Sequence, residues 1–112
     1  MIFSIGTSVL EACVLALLMQ GDSYGYKITQ DLKESVHISD STLYPVLKKL
    51  LNAGLLSSYN VEFDGRNRRY YTVTAAGKDQ HEKHVAEWQS YKKCLTSFLH
   101  KRRSQKSGVI RS

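Results

Sequence analysis

The chain has 112 residues, 42% of them hydrophobic and 23% charged, and this length predicts one domain that a partner subunit would stabilise further. Its formal net charge is +6, which is compatible with a nucleic-acid or anionic membrane partner without choosing between them. Cys13 and Cys94 lack the spacing of a metal or redox motif, so we expect no disulfide. Residues 1–20 are apolar, but they contain Glu11 and no basic leader, so we expect a cytoplasmic protein without a membrane span.

Two helices are predicted before residue 39. An apolar stripe predicts a buried or partner-facing first helix over residues 4–19, which Gly21 and Asp22 end. Ser23 is expected to cap a second helix, on which Tyr24, Ile28 and Leu32 line one side at i, i+4 and i+8.

A third helix is predicted to begin near residues 39–41 with a serine N-cap and to end at Gly54. Pro45 supports this start, because an interior proline costs about 3 kcal/mol whereas one in the first turn costs little. One side carries the apolar residues Leu43, Val46, Leu47, Leu50 and Leu51, and the opposite side carries Ser41, Pro45, Lys48 and Asn52, flanked by Tyr44 and Lys49. Three short helices joined by tight turns match a helix-turn-helix, in which the last helix enters the major groove.

A β-hairpin is predicted next, with strands over residues 56–63 and 68–74 and a turn at Asp64 and Gly65. Its register stays open, since a two-residue turn pairs Phe63 with Arg66 and a four-residue turn pairs Phe63 with Arg68. The tip is basic, with Arg66, Asn67, Arg68 and Arg69, although arginines beside a hairpin are also common in proteins that bind nothing.

Thr74 is expected to cap a long last helix that ends at Arg103. Its apolar stripe and that of the first helix predict a dimer interface formed by Val9, Cys13, Leu17, Val85, Trp88, Tyr91, Leu95 and Phe98. Residues 88–112 contain seven basic residues and no acidic one; this end can bind nucleic acid or membrane, or be a solvated tail. The predicted fold class is mainly α with a two-stranded β-wing, divided into a winged helix-turn-helix (1–76), a dimerisation helix (77–103) and a disordered tail (104–112).

Three motifs carry a resemblance that covers nearly the whole chain: GYKI at residues 25–28, STLYPVLKKL at 41–50 and RRYYTVTAAG at 68–77. In this order and spacing the chain resembles the PadR-like family of winged helix-turn-helix transcriptional regulators, in particular its small members with a single C-terminal helix. The resemblance implies a homodimeric regulator, usually a repressor, that binds double-stranded operator DNA. It also implies that a tryptophan at the place of Trp88 stacks against a planar aromatic effector.

Carried over by residue, the resemblance assigns Ser41, Thr42, Tyr44 and Lys48 to the recognition helix, Gly65, Arg66 and Arg68 to the wing tip, and Tyr24 to the DNA backbone. With the neighbouring polar residues, the expected DNA contacts are Tyr24, Ser39, Ser41, Thr42, Tyr44, Lys48, Lys49, Gly65, Arg66, Arg68 and Arg69. Hydroxyls and lysines on an exposed helix side can donate to phosphates and read base edges, and arginines suit the minor groove or the adjacent backbone.

Other interpretations stay open at this point. The third helix also fits the surface of an adaptor that binds no DNA, Trp88 also fits dimer packing alone, and the basic tail also fits a module that contacts RNA or membrane. His81 and His84 lack the spacing of a metal motif, and Asp40 has no assigned role. No residue set predicts an enzyme, a cofactor or a metal site.

Overall fold

A computed structural model of the chain describes residues 7–108. The elements follow in the order α1 (Thr7–Met19), β1 (Ser23–Tyr24), α2 (Gly25–Lys33), α3 (Asp40–Asn52), β2 (Leu56–Phe63), β3 (Arg66–Val73) and α4 (Ala75–Gly108). Two compact units result, the first ending at His81 and the second beginning at Glu82. The predicted fold class, mainly helical with a small antiparallel sheet and a long last helix, is confirmed. None of the helices described is long and apolar enough to cross a membrane.

The core of the first unit lies where α1, α2 and α3 meet the sheet. Its α3 side is the predicted stripe, since Leu43, Val46, Leu47 and Leu50 are at most 3% exposed, although Leu51 is only partly covered. Burying one such side chain contributes about 1.5–3 kcal/mol. The rest of the core is Leu10, Val14, Leu15, Leu18, Ile28, Leu32, Val36, Ile38, Leu56 and Tyr71.

The ends of α3 agree with the sequence prediction. Ser39 is the N-cap residue, and the C-terminus is a Schellman motif in which Leu55 N donates to Leu50 O and Gly54 N donates to Leu51 O. Gly54 has φ +77°, the left-handed conformation that glycine adopts at little cost.

Pro45 does not lie in the first turn of α3, contrary to the prediction. Because α3 begins at Asp40, Pro45 lies inside the helix and beyond its first turn. Proline has no N–H, so the Ser41 carbonyl lacks its helical donor. Ser41 is exposed, and water can hydrate that carbonyl, which explains why the proline is tolerated.

The expectation that Ser23 caps the second helix was also wrong. Ser23 and Tyr24 form β1, which pairs antiparallel with β3 through Ser23↔Tyr71 and Tyr24↔Tyr70. The pairing holds Tyr24 extended, so Tyr24 becomes the N-cap residue of α2 and makes no side-chain cap hydrogen bond. The sheet therefore has three strands, in the order β1-β3-β2.

The hairpin adopts the two-residue turn. Phe63 pairs with Arg66, and Asp64 and Gly65 have φ of 52° and 76°. Two consecutive left-handed residues are typical of a type I′ turn, whose twist matches that of the strands. As a consequence β3 begins at Arg66, earlier than the predicted residue 68.

Thr74 caps α4 as predicted: its Oγ1 accepts a hydrogen bond of 3.0 Å from Gly77 N and donates one of 2.7 Å to Gly54 O. The helix continues past the predicted end at Arg103 to Gly108, and residues 109–112 of the predicted tail lie outside the described residues. The reason is local, because no glycine or proline interrupts the chain between Gly77 and Gly108 and its Lys, Arg and Gln residues favour helix.

Candidate nucleic-acid interface

The outward side of α3 is a polar surface with rigid support. Ser41, Thr42, Tyr44 and Lys48 are all exposed, as predicted from the helical periodicity. The opposite side of the same helix is locked into the core by Leu43, Val46, Leu47 and Leu50. A close-packed core holds the helix in one position, so these polar groups are presented in a fixed arrangement.

Three hydroxyl groups gather at the N-terminus of α3. Ser39 Oγ lies 2.9 Å from Ser41 Oγ and 3.3 Å from Thr42 Oγ1. Ser39 thus occupies the N-cap position while its hydroxyl bonds to side chains and not to the helix backbone. The helix terminus carries a partial positive charge, so this end of α3 offers donors and a favourable field to an anion such as a phosphate.

Tyr44 lies against the start of α2. A Cβ atom built at Gly25 would contact Tyr44 Oη and lie 2.8 Å from its Cε1. Only glycine at position 25 leaves room for the ring, which is 46% exposed on its other side. This contact was not predicted, although Gly25 belongs to the GYKI motif, because nothing local in the sequence places it beside Tyr44.

The two adjacent lysines of α3 have different surroundings. Lys49 Nζ lies 2.7 Å from Glu11 Oε2 of α1, and the Glu11 side chain is only 16% exposed. Lys48 is exposed on the outward side. The expected contact residue Lys49 is therefore paired with Glu11, although its own side chain is 65% exposed, whereas Lys48 lies on the polar surface.

The three wing arginines differ in exposure and in contacts. Arg66 is exposed at the start of β3, next to Gly65 of the turn. Arg69 donates to Ser58 Oγ from Nε at 3.1 Å and from Nη2 at 3.0 Å. Arg68 is half-buried, with its guanidinium carbon 4.2 Å from the ring centroid of Tyr24 and 4.5 Å from that of Phe63.

Aromatic rings continue along this side of the sheet. Tyr70 stacks on Tyr59 with centroids 5.7 Å apart and packs tilted against Tyr24 at 5.3 Å. Tyr59 Oη donates a 2.6 Å hydrogen bond to Asp22. That bond, followed by one from Thr72, holds the pKa of Asp22 below its usual range, and the same bond to Asp22 raises the pKa of Tyr59.

Residues 14–83 match the model of the transcriptional regulator PadR-like family. The chain belongs to the PadR-like family. Its members are transcriptional regulators, which places the chain among regulators and not among enzymes. The matched residues include α2, α3, the hairpin and the start of α4, so the surface described above lies within the family domain.

Solved structures similar to this chain have the same fold. A Streptococcus mutans protein is 38% identical over 100% of this chain and 99% of its own, with a TM-score of 0.83. A PadR family transcription regulator from Clostridium difficile is 33% identical, covering 80% of this chain and 96% of its own, with a TM-score of 0.75.

The Bacillus subtilis relative is a negative transcriptional regulator, 33% identical over 64% of this chain. Its structure in complex with operator DNA has a TM-score of 0.64 to this chain, at 31% identity over 69% of it. This chain spans less than half of that protein, 42% of its sequence and 46% of the chain in the complex.

The predicted dimer residues of α4 are all exposed. Every side chain from position 85 to 100 is open to solvent, and Trp88 packs against Tyr91 with ring centroids 5.6 Å apart. The apolar members of the stripe are Val85, Trp88, Tyr91, Leu95, Phe98 and Leu99. A stripe of exposed aromatic and aliphatic side chains at this spacing is typical of a surface that packs against another helix.

The predicted dimer residues of α1 are more varied. Val9 is exposed, whereas Cys13 and Leu17 are partly buried and pack against the core. Both cysteines are free, and burial raises the pKa of the Cys13 thiol. Among the described residues no group of three His, Cys, Asp or Glu side chains could hold a metal ion.

Proposed function

We propose that the chain is a homodimeric, sequence-specific DNA-binding repressor of the cytoplasm. The observation that carries this proposal is the polar outward side of α3, backed by four core residues and set beside an arginine-bearing hairpin in the same compact unit. The family match supports it, as does the relative from Bacillus subtilis, which is a negative regulator with operator DNA bound in its structure.

In the proposed complex α3 enters the major groove. Ser39, Ser41 and Thr42 donate to phosphate oxygens at the helix N-terminus, and Thr42 and Tyr44 face base edges. Lys48 neutralises a phosphate farther along the helix. The wing places Gly65 and Arg66 at the neighbouring backbone or minor groove, where a guanidinium group follows the negative potential.

The apolar stripe of α4 supports the proposed homodimer. Exposed aromatic and aliphatic side chains spaced by threes and fours are stabilised by burial against an equivalent surface, and a second copy supplies one. Two α3 helices would then read half-sites about 34 Å apart, or a multiple of that distance, on a near-palindromic operator.

Trp88 is the proposed effector contact. Its indole is 56% exposed and stands beside Tyr91, so the pair offers flat apolar surface to a planar aromatic compound within the dimer. Effector binding there would relieve repression by changing the separation of the two recognition helices. Quenching of Trp88 fluorescence by planar aromatic compounds is the direct measurement, and it uses the single tryptophan of the chain.

The two lysines of α3 provide the test of DNA binding. The operator is first selected from a random duplex library, and binding is then measured by fluorescence anisotropy across a salt series. We expect saturation at two subunits per site. The Lys48→Ala protein should lose about 0.9 in the slope of log K against log salt for each subunit, because one phosphate contact is removed.

Lys49→Ala is the matched control, with the same lost charge at the next position. Because Lys49 is paired with Glu11, we expect its removal to change the slope much less. Selection that yields no preferred sequence, or equal loss of slope in both variants, would contradict the proposed use of α3.

A further inference from the structure

Arg68 has surroundings unlike those of the other wing arginines. Arg66 and Arg69 are exposed, whereas Arg68 is half-buried. Its guanidinium lies between two aromatic rings, 4.2 Å from the centroid of Tyr24 and 4.5 Å from that of Phe63. Both distances are well within the range of about 6 Å over which a cation is attracted to a ring face.

The contacts of Arg68 lie where the hairpin leaves the three-stranded sheet. β1 pairs with β3 only at Ser23↔Tyr71 and Tyr24↔Tyr70, whereas β2 and β3 pair all the way to Phe63↔Arg66. The hairpin therefore extends past the end of β1 as a two-stranded ribbon. Arg68 lies just past the last β1 pair, and its contacts join β1, β2 and β3 where the ribbon leaves the three-stranded sheet.

We propose that Arg68 is a positioning residue, which holds the wing against the start of α2 so that Arg66 reaches the DNA. Tyr24 is the N-cap residue of α2, and the next residue, Gly25, contacts Tyr44 of α3. The wing is thereby linked through Tyr24 and Gly25 to the helix proposed to read the major groove. A two-stranded ribbon twists easily, and a cation held between rings on two strands limits that freedom.

The chemistry of arginine suits this role better than that of lysine. A guanidinium is planar and weakly hydrated, so it stacks between rings with less desolvation cost than an ammonium group. Arg68→Lys therefore keeps the charge and loses the sandwich. A residue that only contributed charge to a phosphate would be replaced by lysine with little effect.

The inference rests on the proposed function, and its test uses salt dependence to separate positioning from phosphate contact. With the selected operator and the full-length protein, Arg66→Gln should lower the salt slope by about 0.9 for each subunit. Arg68→Gln should leave the slope at the wild-type value and weaken operator binding at least about fivefold, because the guanidinium loses its contacts with both rings.

Phe63 supplies the matched variants, since it carries no charge. Phe63→Ala should weaken operator binding, though less than Arg68→Gln because the Tyr24 contact remains, and Phe63→Tyr should restore it. The Phe63→Ala, Arg68→Gln double variant should bind no more weakly than Arg68→Gln alone. A readout without DNA accompanies these titrations. The Arg68 δ protons should show an upfield ring-current shift in the NMR spectrum of the free protein, reduced in Phe63→Ala and kept in Phe63→Tyr.

Two outcomes overturn the inference alone: a slope that falls as far in Arg68→Gln as in Arg66→Gln, and additive effects of Phe63→Ala and Arg68→Gln. A library that yields no preferred sequence for the wild-type protein removes the proposed function itself, and the role of Arg68 with it. An unshifted Arg68 resonance in the free protein removes the sandwich on which the inference stands.

Discussion

Replacing Gly25 with alanine removes the space that the Tyr44 ring occupies. A Cβ atom at position 25 would lie 2.8 Å from Cε1 and 2.9 Å from Cζ of Tyr44, closer than non-bonded carbon atoms approach. The clash is with the outer part of a rotatable side chain. We therefore expect the ring to move away from α2 while both helix backbones stay in place.

Two opposing effects determine the change in the free energy of unfolding. Alanine is favoured over glycine by about 1 kcal/mol inside a helix, and because Gly25 is the first residue of α2 the gain there is at most about 0.5 kcal/mol. Against this, Tyr44 is 46% exposed. About half of the roughly 200 Å² that a tyrosine can bury is thus covered, which corresponds to about 2.5 kcal/mol at about 25 cal/mol per Å². Displacing the ring loses most of that contact, so we expect Gly25→Ala to destabilise the protein by about 1–2 kcal/mol.

In a protein that lacks the Tyr44 ring, we expect Gly25→Ala to change the free energy of unfolding in the opposite direction. In the Tyr44→Ala protein no ring opposes the new methyl group, and Gly25→Ala should then stabilise the protein by up to about 0.5 kcal/mol through helix propensity alone. Urea unfolding of the four proteins, followed by circular dichroism, measures both changes. The m-values should be equal, because the surface exposed on unfolding hardly changes.

If Gly25→Ala changed the free energy of unfolding in the same direction in both proteins, the proposed clash with the Tyr44 ring would be refuted. If Gly25→Ala stabilised both proteins, the Tyr44 ring would not depend on the space at position 25. If it destabilised both, the glycine would be needed for the backbone of α2 and not for the ring. Either result would also break the proposed link from the wing to α3.

Two further predictions concern stability. Thr74→Val keeps the shape of the side chain and removes two hydrogen bonds, the one that Thr74 Oγ1 accepts from Gly77 N and the one that it donates to Gly54 O. We expect a loss of about 1–2 kcal/mol in urea unfolding, and a loss below about 0.3 kcal/mol would contradict the capping role. The hydrogen bond from Tyr59 favours the ionised Asp22 carboxylate and so lowers its pKa in the folded protein. The bond therefore stabilises the fold fully above the ordinary aspartate pKa of 3.8, and this stabilisation is lost as the pH falls through the lower folded pKa. Tyr59→Phe should therefore destabilise the protein near pH 6 and have a smaller effect near pH 2, and an effect that does not shrink in acid would rule out this pair as the cause.

The elements that sequence analysis predicted well are those whose signals are local. The stripe of α3, the Gly54 terminus, the Asp64–Gly65 turn and the Thr74 cap each depend on residues within a few positions of one another. β1 was missed for the opposite reason. A strand of two residues has no period, and its extended conformation comes from pairing with β3, far away in the sequence.

In the candidate site, the contacts of individual side chains could likewise not be predicted from the sequence. Lys48 and Lys49 are chemically identical in the sequence, as are Arg66 and Arg68, and charge pattern alone assigns all four to DNA. Tertiary contacts separate them, because Glu11 of α1 engages Lys49 and two aromatic rings enclose Arg68. We therefore expect a basic residue near the proposed DNA-binding helix to bind phosphate more readily when no group of its own protein already pairs with its charge. For the proposed function, we therefore expect Lys48 and Arg66 to bind phosphate, whereas the charge of Lys49 is paired with Glu11 and that of Arg68 lies against two aromatic rings.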